Sequence, residues 1–274
     1  MNWRIDRGSG HHASVDTFSS LKTKRCESMR LSLLFCAAFL PAFAMSPFAS
    51  ADESSTSSLS AQLKETADNS SKRYPAEVLQ TFQRGVEQVR ATGIEESAKK
   101  VGDEAIDATL KGWDQNEVTL SDVWSEGPVI LMWYRGGWCP YCNLQLRAMQ
   151  KQLSAIEGAG AKLVVLTPEV PEKAKETAEA NDLEMLVLHD RKSEVARKYG
   201  IVFDLPESIL PVYRDKFQLA KRNDNGAMEL PLAATYVIDT NGKITYAFVD
   251  ADYKKRAEPA DVVAAVKKLQ YLNH

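Results

Sequence analysis

Cysteine and histidine are both scarce in this chain, with four of each among 274 residues. The cysteines stand at Cys26, Cys36, Cys139 and Cys142, and the histidines at His11, His12, His189 and His274. A zinc site built on the one close cysteine pair would need two further ligands, usually a second cysteine or histidine pair, and none lies at a suitable spacing. Covalent haem attachment wants a histidine directly after the second cysteine, where this chain has Asn143. No metal or other cofactor is called for. There is no excess of positive charge either: 34 basic residues face 37 acidic ones, and no basic stripe gives nucleic acid an electrostatic footprint. A long apolar run occurs once, near the N-terminus.

That run, Leu31 to Ala44, follows Met29-Arg30 and is followed by Ala49-Ser50-Ala51, a small-x-small cleavage signature ahead of Asp52. Residues 29–51 therefore read as a secretory signal peptide. Residues 1–28 are polar and without apolar periodicity, an unstructured extension upstream of a start at Met29, or an unusually long n-region. The alternative is an uncleaved membrane anchor, since the apolar stretch through Phe48 is nearly long enough to span. Pro41 and the alanine-rich end favour cleavage, and Cys36 lacks the small residues that precede a lipidated cysteine. Cleavage before Asp52 would remove six basic and three acidic residues and leave a formal charge of −6. It would also leave Cys139 and Cys142 as the only cysteines, in an exported product of the periplasm or cell envelope. About 220 residues then remain, which is one domain with a substantial core.

The pair stands in Trp138-Cys139-Pro140-Tyr141-Cys142. An apolar run, Pro128 to Tyr134, and a bend at Arg135-Gly136-Gly137 precede it, and an amphipathic stretch from Asn143 to Ile156 follows. Strand, glycine turn and two cysteines at a helix start is the layout of a dithiol redox site. Residues three apart share a helix face, so the sulfurs can close a disulfide without refolding the backbone. A thiolate at a helix N-terminus gains from unpaired N–H groups and the macrodipole, so Cys139, nearer the terminus, is expected to be the more acidic thiol. Pro140 fits the first turn, where a missing N–H costs nothing. A purely structural role is poorly motivated, because a bridge across one helical turn closes almost no loop.

The organisation along the rest of the chain follows from periodicity. Residues 52–58 are Ser-rich and polar and read as a disordered linker. Leu59–Asp68 and Ala76–Ile94 show helical spacing, a helical extension over residues 59–99 that packs on the core domain. From residue 100 to 274 the pattern alternates. Ile106–Leu110 and Glu117–Leu120 flank a turn, Ser121 caps a short helix, and Val129 opens the strand before the cysteine helix. Lys162–Thr167 is a buried strand, Pro171–Ala180 a helix, Met185–Leu188 a strand and Ser193–Tyr199 a helix. Leu205–Leu219 reads as helical, Lys221–Leu230 as a loop, Thr235–Val249 as a hairpin turning at Asn241-Gly242, and Glu258–Leu269 as a closing helix. This order implies an α/β fold, a mixed central sheet with helices on both faces plus the N-terminal helical extension.

Several stretches carry a family likeness: Val101–Leu110, Tyr134–Asn143, Ala234–Asp239 and Tyr246–Asp250. Over roughly residues 60–270 the chain resembles the peroxiredoxin-like branch of the alkyl hydroperoxide reductase/thiol-specific antioxidant superfamily. The resemblance implies a thioredoxin-like fold and a peroxidase that reduces hydrogen peroxide or organic hydroperoxides through a cysteine thiolate. It also implies recycling by thioredoxin or a similar dithiol. Peroxiredoxins usually place a threonine three residues and a proline seven residues before the peroxidatic cysteine, and an arginine on a later strand. If Cys142 is peroxidatic, the first two positions hold Cys139 and Arg135; if Cys139 is, they hold Gly136 and Met132. Where the arginine is expected, just before Thr235, the chain has Ala233-Ala234. Arg135 or Arg147 could supply the missing charge.

Two activities stay open on this basis, because the dithiol alone supports both. The favoured one is a thiol peroxidase, with one cysteine oxidised to sulfenic acid and the other condensing with it. The other is a thiol-disulfide oxidoreductase acting on protein disulfides. The partners implied are a peroxide or disulfide substrate and a thioredoxin-like reductant. No nucleic acid is expected, and no stable membrane insertion once the signal is removed. Terminal exposure assigns attack to Cys139 and resolution to Cys142.

Overall fold

Residues 129–133 are buried at every position, as a central strand covered on both faces must be, and Val-Ile-Leu-Met-Trp supplies the apolar bulk that such a strand needs. The computed structural model describes residues 57–272. The signal-peptide reading, the segment before it and residues 52–56 of the Ser-rich linker lie outside the described residues.

Helices α1 (Leu59–Arg73), α2 (Ala76–Arg90) and the single turn α3 (Ile94–Ser97) lead into a hairpin of β1 (Thr109–Gly112) and β2 (Glu117–Thr119). Then come α4 (Leu120–Glu126), β3 (Val129–Trp133), α5 (Pro140–Lys151), α6 (Leu153–Gly158), β4 (Lys162–Thr167), α7 (Pro171–Ala180) and β5 (Leu186–His189). The chain finishes with α8 (Glu194–Lys198), β6 (Val202–Asp204), α9 (Leu219–Asn223), β7 (Glu229–Pro231), β8 (Thr235–Ile238), β9 (Ile244–Phe248) and α10 (Pro259–Leu272).

Seven strands form one sheet in the order β2-β1-β5-β4-β3-β8-β9, while β6 and β7 pair separately. The central strands β3, β4 and β5 are parallel, and β8 runs antiparallel to β3 with Met132 opposite Thr235, so the sheet is mixed. Alternation along β3 splits the core in two. Ile130, Met132 and Tyr134 face α5 and α10, where they join Cys142, Leu146, Met149, Val262 and Val266, and Leu59 and Leu63 of α1 complete this side. Leu131 and Trp133 face the opposite layer with Ile94, Val195 and Tyr199. The sheet and its two helical layers thus clamp the start of α5, because Leu146 and Met149 are completely buried one and two turns further along it.

Several boundaries differ from those the sequence predicts. Leu205–Leu219 is no continuous helix: it contains turns and a wide π-type turn over Val212–Lys216. Leu205, Ile209 and Tyr213 recur at helical spacing and do share a small core with Leu219 and Leu230. However, Pro206 keeps Leu205 out of the helical region and Pro211 has no N–H for a helical bond. The stretch read as a loop after it contains α9 and β7. Helix α4 begins two residues early, with Thr119 rather than Ser121 at its cap, and Ser121 instead bonds through N and Oγ to Asp107, both at 2.8 Å. The amphipathic stretch through Ile156 breaks at Gln152 into α5 and α6. Among the described residues, no helix is long and apolar enough to cross a membrane.

Candidate active site

The turn between β3 and α5 is held by close approach. A side chain at Gly136 would run into the Trp138 indole, and one at Gly137 into Thr177. The Gly137 N–H donates to Glu169 Oε2 at 2.8 Å. Glu169 is fully buried and also accepts from Arg222 Nη1 at 2.7 Å. Burial raises its pKa, against the opposing effects of the Gly137 N–H and Arg222. Asn143 Nδ2 donates to Gly137 O at 2.9 Å and ties the turn to the first turn of the helix. Cys139 is the N-cap of α5 and Pro140 its first residue, but the Cys139 side chain makes no capping bond. Cys142 lies one turn in, its N–H bonded to Cys139 O at 3.1 Å.

Both cysteines are free, and both are buried: Cys139 is 2% exposed and Cys142 0%. Arg256, from the loop before α10, donates from Nη2 to Cys142 Sγ at 3.3 Å. Burial opposes ionisation of Cys142 most strongly, yet the Cys139 S–H, the Arg256 and Arg135 guanidinia and the Arg135 backbone N–H outweigh it. The Cys142 pKa is held well below the ordinary thiol value. The Cys139 pKa moves the other way, raised first by the hydrogen bond it gives to Cys142 and then by burial. This corrects the expectation that Cys139 is the more acidic thiol. Its side chain takes no helix-terminal N–H, and a direct bond from a guanidinium outweighs the diffuse field of a helix end.

Arg135 is 3% exposed, not a solvated surface residue. Its Nη2 donates to the Tyr213 hydroxyl, and its guanidinium carbon lies 4.9 Å from the Tyr253 ring centre, 5.2 Å from that of Trp138 and 5.8 Å from that of Tyr213. It also lines an apolar cleft with Phe82, Val86, Ile209, Tyr213 and Tyr253. Arg147 is exposed on α5 and donates to Asn181 Oδ1 at 2.7 Å, so the fold does not bring it to the sulfurs. Arg256, 5% exposed, takes the place that Arg147 was expected to fill. Sequence reasoning missed it because it ends a polar run, Lys254-Lys255-Arg256, that reads as a solvated surface. The bonds from its Nη1 to Tyr253 O and Lys255 O, at 2.5 and 2.6 Å, arise only once that loop is folded. Glu169 was missed too, with no spacing signal to mark it.

The AhpC/TSA family model matches residues 101–247. Peroxiredoxin Bcp of Escherichia coli strain K12 is 25% identical over 151 residues, covering 55% of this chain and 86% of the relative. Among solved structures, a peroxiredoxin-like protein from Aquifex aeolicus shares the fold with a TM-score of 0.50 at 19% identity, over 63% of this chain and 88% of that one. A mutant of the peroxiredoxin 6 of Arenicola marina does so with a TM-score of 0.50 at 13% identity, over 64% and 76%. With more than half of its length matched by the family model, on a thioredoxin-like sheet that carries the cysteines where β3 meets α5, this chain belongs to the AhpC/TSA family.

Proposed function

We propose that the protein is a thiol peroxidase in which Cys142 attacks the hydroperoxide and Cys139 resolves. The observation that carries this reading is the bond from Arg256 to Cys142 Sγ at 3.3 Å, and Cys139 and Arg135 further favour the ionised form of that sulfur. The thiolate, not the thiol, is the nucleophile, and here the thiolate is Cys142. It attacks the nearer peroxide oxygen, the O–O bond breaks, and the leaving hydroxide or alkoxide takes a proton to become water or an alcohol. Two guanidinia stand where negative charge builds on that oxygen, which stabilises the transition state. The Cys139 thiol then attacks the Cys142 sulfenic acid, the S–S bond forms, and a second water leaves with the Cys139 proton.

In this register the residues that depart from the usual peroxiredoxin pattern each have a use. Cys139, in the threonine position, donates a hydrogen bond to the attacking sulfur and afterwards resolves it. Arg135, in the proline position, contributes a backbone N–H that proline lacks, together with a buried cation. Arg256 supplies the charge that the methyl side chains of Ala233 and Ala234 cannot carry.

In the reduced protein, burial of both sulfurs favours attack on a small oxidant over attack on a protein disulfide, which would have to reach them as an extended chain. We further propose that the protein is exported after cleavage ahead of Asp52 and is recycled by a thioredoxin-like dithiol. The discriminating assay supplies hydrogen peroxide, an alkyl hydroperoxide and insulin disulfides side by side. Peroxide consumption with insulin left unreduced is the expected result; rapid insulin reduction without peroxide consumption would replace this reading with the oxidoreductase one.

A further inference from the structure

Arg135 and Arg256 are buried cations without an acidic partner: among the described residues neither forms an ion pair with a carboxylate, and the Nε of each has no acceptor. Acidic side chains in the surrounding segments are engaged elsewhere. Asp250 pairs with Arg90 at 2.9 Å and Lys255 at 3.0 Å, Glu169 with Arg222 at 2.7 Å and Asp252 with Lys254 at 3.8 Å. Glu258 accepts from Ser60 N at 2.5 Å. The group placed to answer Arg256 is the Cys142 sulfur, 3.3 Å from its Nη2, and as a thiolate it is the nearby anion for both guanidinia.

Disulfide formation removes that anion. A buried charge without a counter-charge is costly, and the oxidised protein holds two such charges that keep only neutral partners, the Tyr213 hydroxyl and aromatic rings for Arg135 and the Tyr253 and Lys255 carbonyls for Arg256. Closing a bridge across one helical turn returns little chain entropy in compensation. Whatever stabilises the reduced form of a dithiol relative to its disulfide makes the couple more oxidising.

We propose that Cys139–Cys142 is an oxidising couple, poised by Arg135 and Arg256, whose disulfide is consumed by weakly reducing thiols of the glutathione class as well as by strongly reducing dithiols. The inference rests on the assignment of the anionic sulfur to Cys142, and peroxidase activity is not required for its test. In the reducing step a small thiolate attacks Cys139, the S–S bond breaks, and Cys142 departs as the thiolate beside Arg256; the thiol of lower pKa leaves faster. A second thiolate attacks the sulfur of the first in the mixed disulfide, and Cys139 leaves and takes up a proton. Two electrons have then passed from two small thiols to the protein, those thiols have become one disulfide, and one of their two protons remains in solution because Cys142 stays ionised.

The test equilibrates the full chain in graded mixtures of reduced and oxidised glutathione, alongside a thioredoxin. Thiols are trapped in acid and the redox state is read by mass on the tryptic peptide of residues 136–147, which carries both cysteines of the pair. The expected midpoint lies at least about tenfold further toward the oxidised side, as an equilibrium constant, than that of thioredoxin, or about 30 mV. Arg256→Met is expected to shift the equilibrium at least about tenfold toward disulfide, and Arg256→Lys by less than about threefold, because the charge is kept. A second measurement needs no variant: the reduced wild type is expected to melt at a higher temperature than the oxidised one. A wild-type midpoint at or below that of thioredoxin, an Arg256→Met equilibrium within about twofold of wild type, or an oxidised form that melts higher would each overturn the proposal. Peroxide consumption is scored separately, and its absence beside an oxidising midpoint would strike the peroxidase reading alone.

Discussion

Arg256 and Cys142 are separated by 114 residues of sequence and joined by a hydrogen bond of 3.3 Å from Nη2 to Sγ. A bond from a charged donor contributes about 1.5–3 kcal/mol. Arg256→Met is therefore expected to raise the apparent pKa of the reactive thiol and slow its reaction with hydrogen peroxide about ten- to hundredfold at neutral pH. Stopped-flow rates across a pH series would report both effects, and a variant matching wild type would remove Arg256 from the site.

Stability should depend on pH in opposite senses below and above the ordinary thiol pKa, roughly 8.5. The Cys142 pKa is depressed on folding, so its contribution is present above that value and is lost as pH falls through the folded pKa. The Cys139 pKa is raised, so the folded state keeps a proton that the unfolded chain releases, and stability declines as pH climbs past the unfolded value. Denaturation midpoints of reduced minus oxidised protein, which cancel the other titrating groups, should rise to a maximum near pH 8.5 and then fall. A flat difference would contradict the charge assignment.

Tyr213→Phe removes the hydroxyl that accepts from Arg135 while leaving the ring beside the guanidinium. A buried charged donor that loses its acceptor costs about 1–3 kcal/mol, so the melting temperature should fall by about 5 °C in a protein of this size. Calorimetry checks this, and an unshifted transition would mean that the aromatic rings alone hold Arg135.

Gly137→Ala and Arg147→Ala separate the site from its surface. The added methyl at residue 137 meets Thr177 and disturbs the N–H bonded to Glu169, with an expected cost of about 1–3 kcal/mol and a slower peroxide reaction. Among the described residues Arg147 bonds only to Asn181, and its removal should leave the peroxide rate within about twofold, since surface substitutions of this kind change stability by under about 0.5 kcal/mol. A large rate loss in Arg147→Ala would return that residue to the site.

The central fold was legible where local signals agreed with burial. The strand Lys162–Thr167 and the helix Pro171–Ala180 have the bounds that their apolar run and first-turn proline predict, and the hairpin turn includes Asn241 and Gly242 but is centred one residue earlier, closing from Asp239 O to the Gly242 N–H with Gly242 at positive φ. The segment from Leu205 to Leu219 was misread because its apolar spacing imitates a helix while its prolines forbid one. The cysteine pair announced itself through a motif, and Arg135 through its place beside it. The charge balance between the two sulfurs was not legible, since it depends on which cysteine meets a guanidinium from a loop more than a hundred residues away. Periodicity carries no record of such a contact.

The most direct measurement is which sulfur becomes a sulfenic acid. Cys139→Ser and Cys142→Ser proteins are treated with one equivalent of hydrogen peroxide in the presence of dimedone, and the peptide of residues 136–147 is examined by mass spectrometry. Attack by Cys142 predicts that Cys139→Ser consumes peroxide and carries dimedone on Cys142, while Cys142→Ser reacts slowly or not at all. Dimedone on Cys139 in the Cys142→Ser protein at near wild-type rate, with Cys139→Ser inert, would contradict the account.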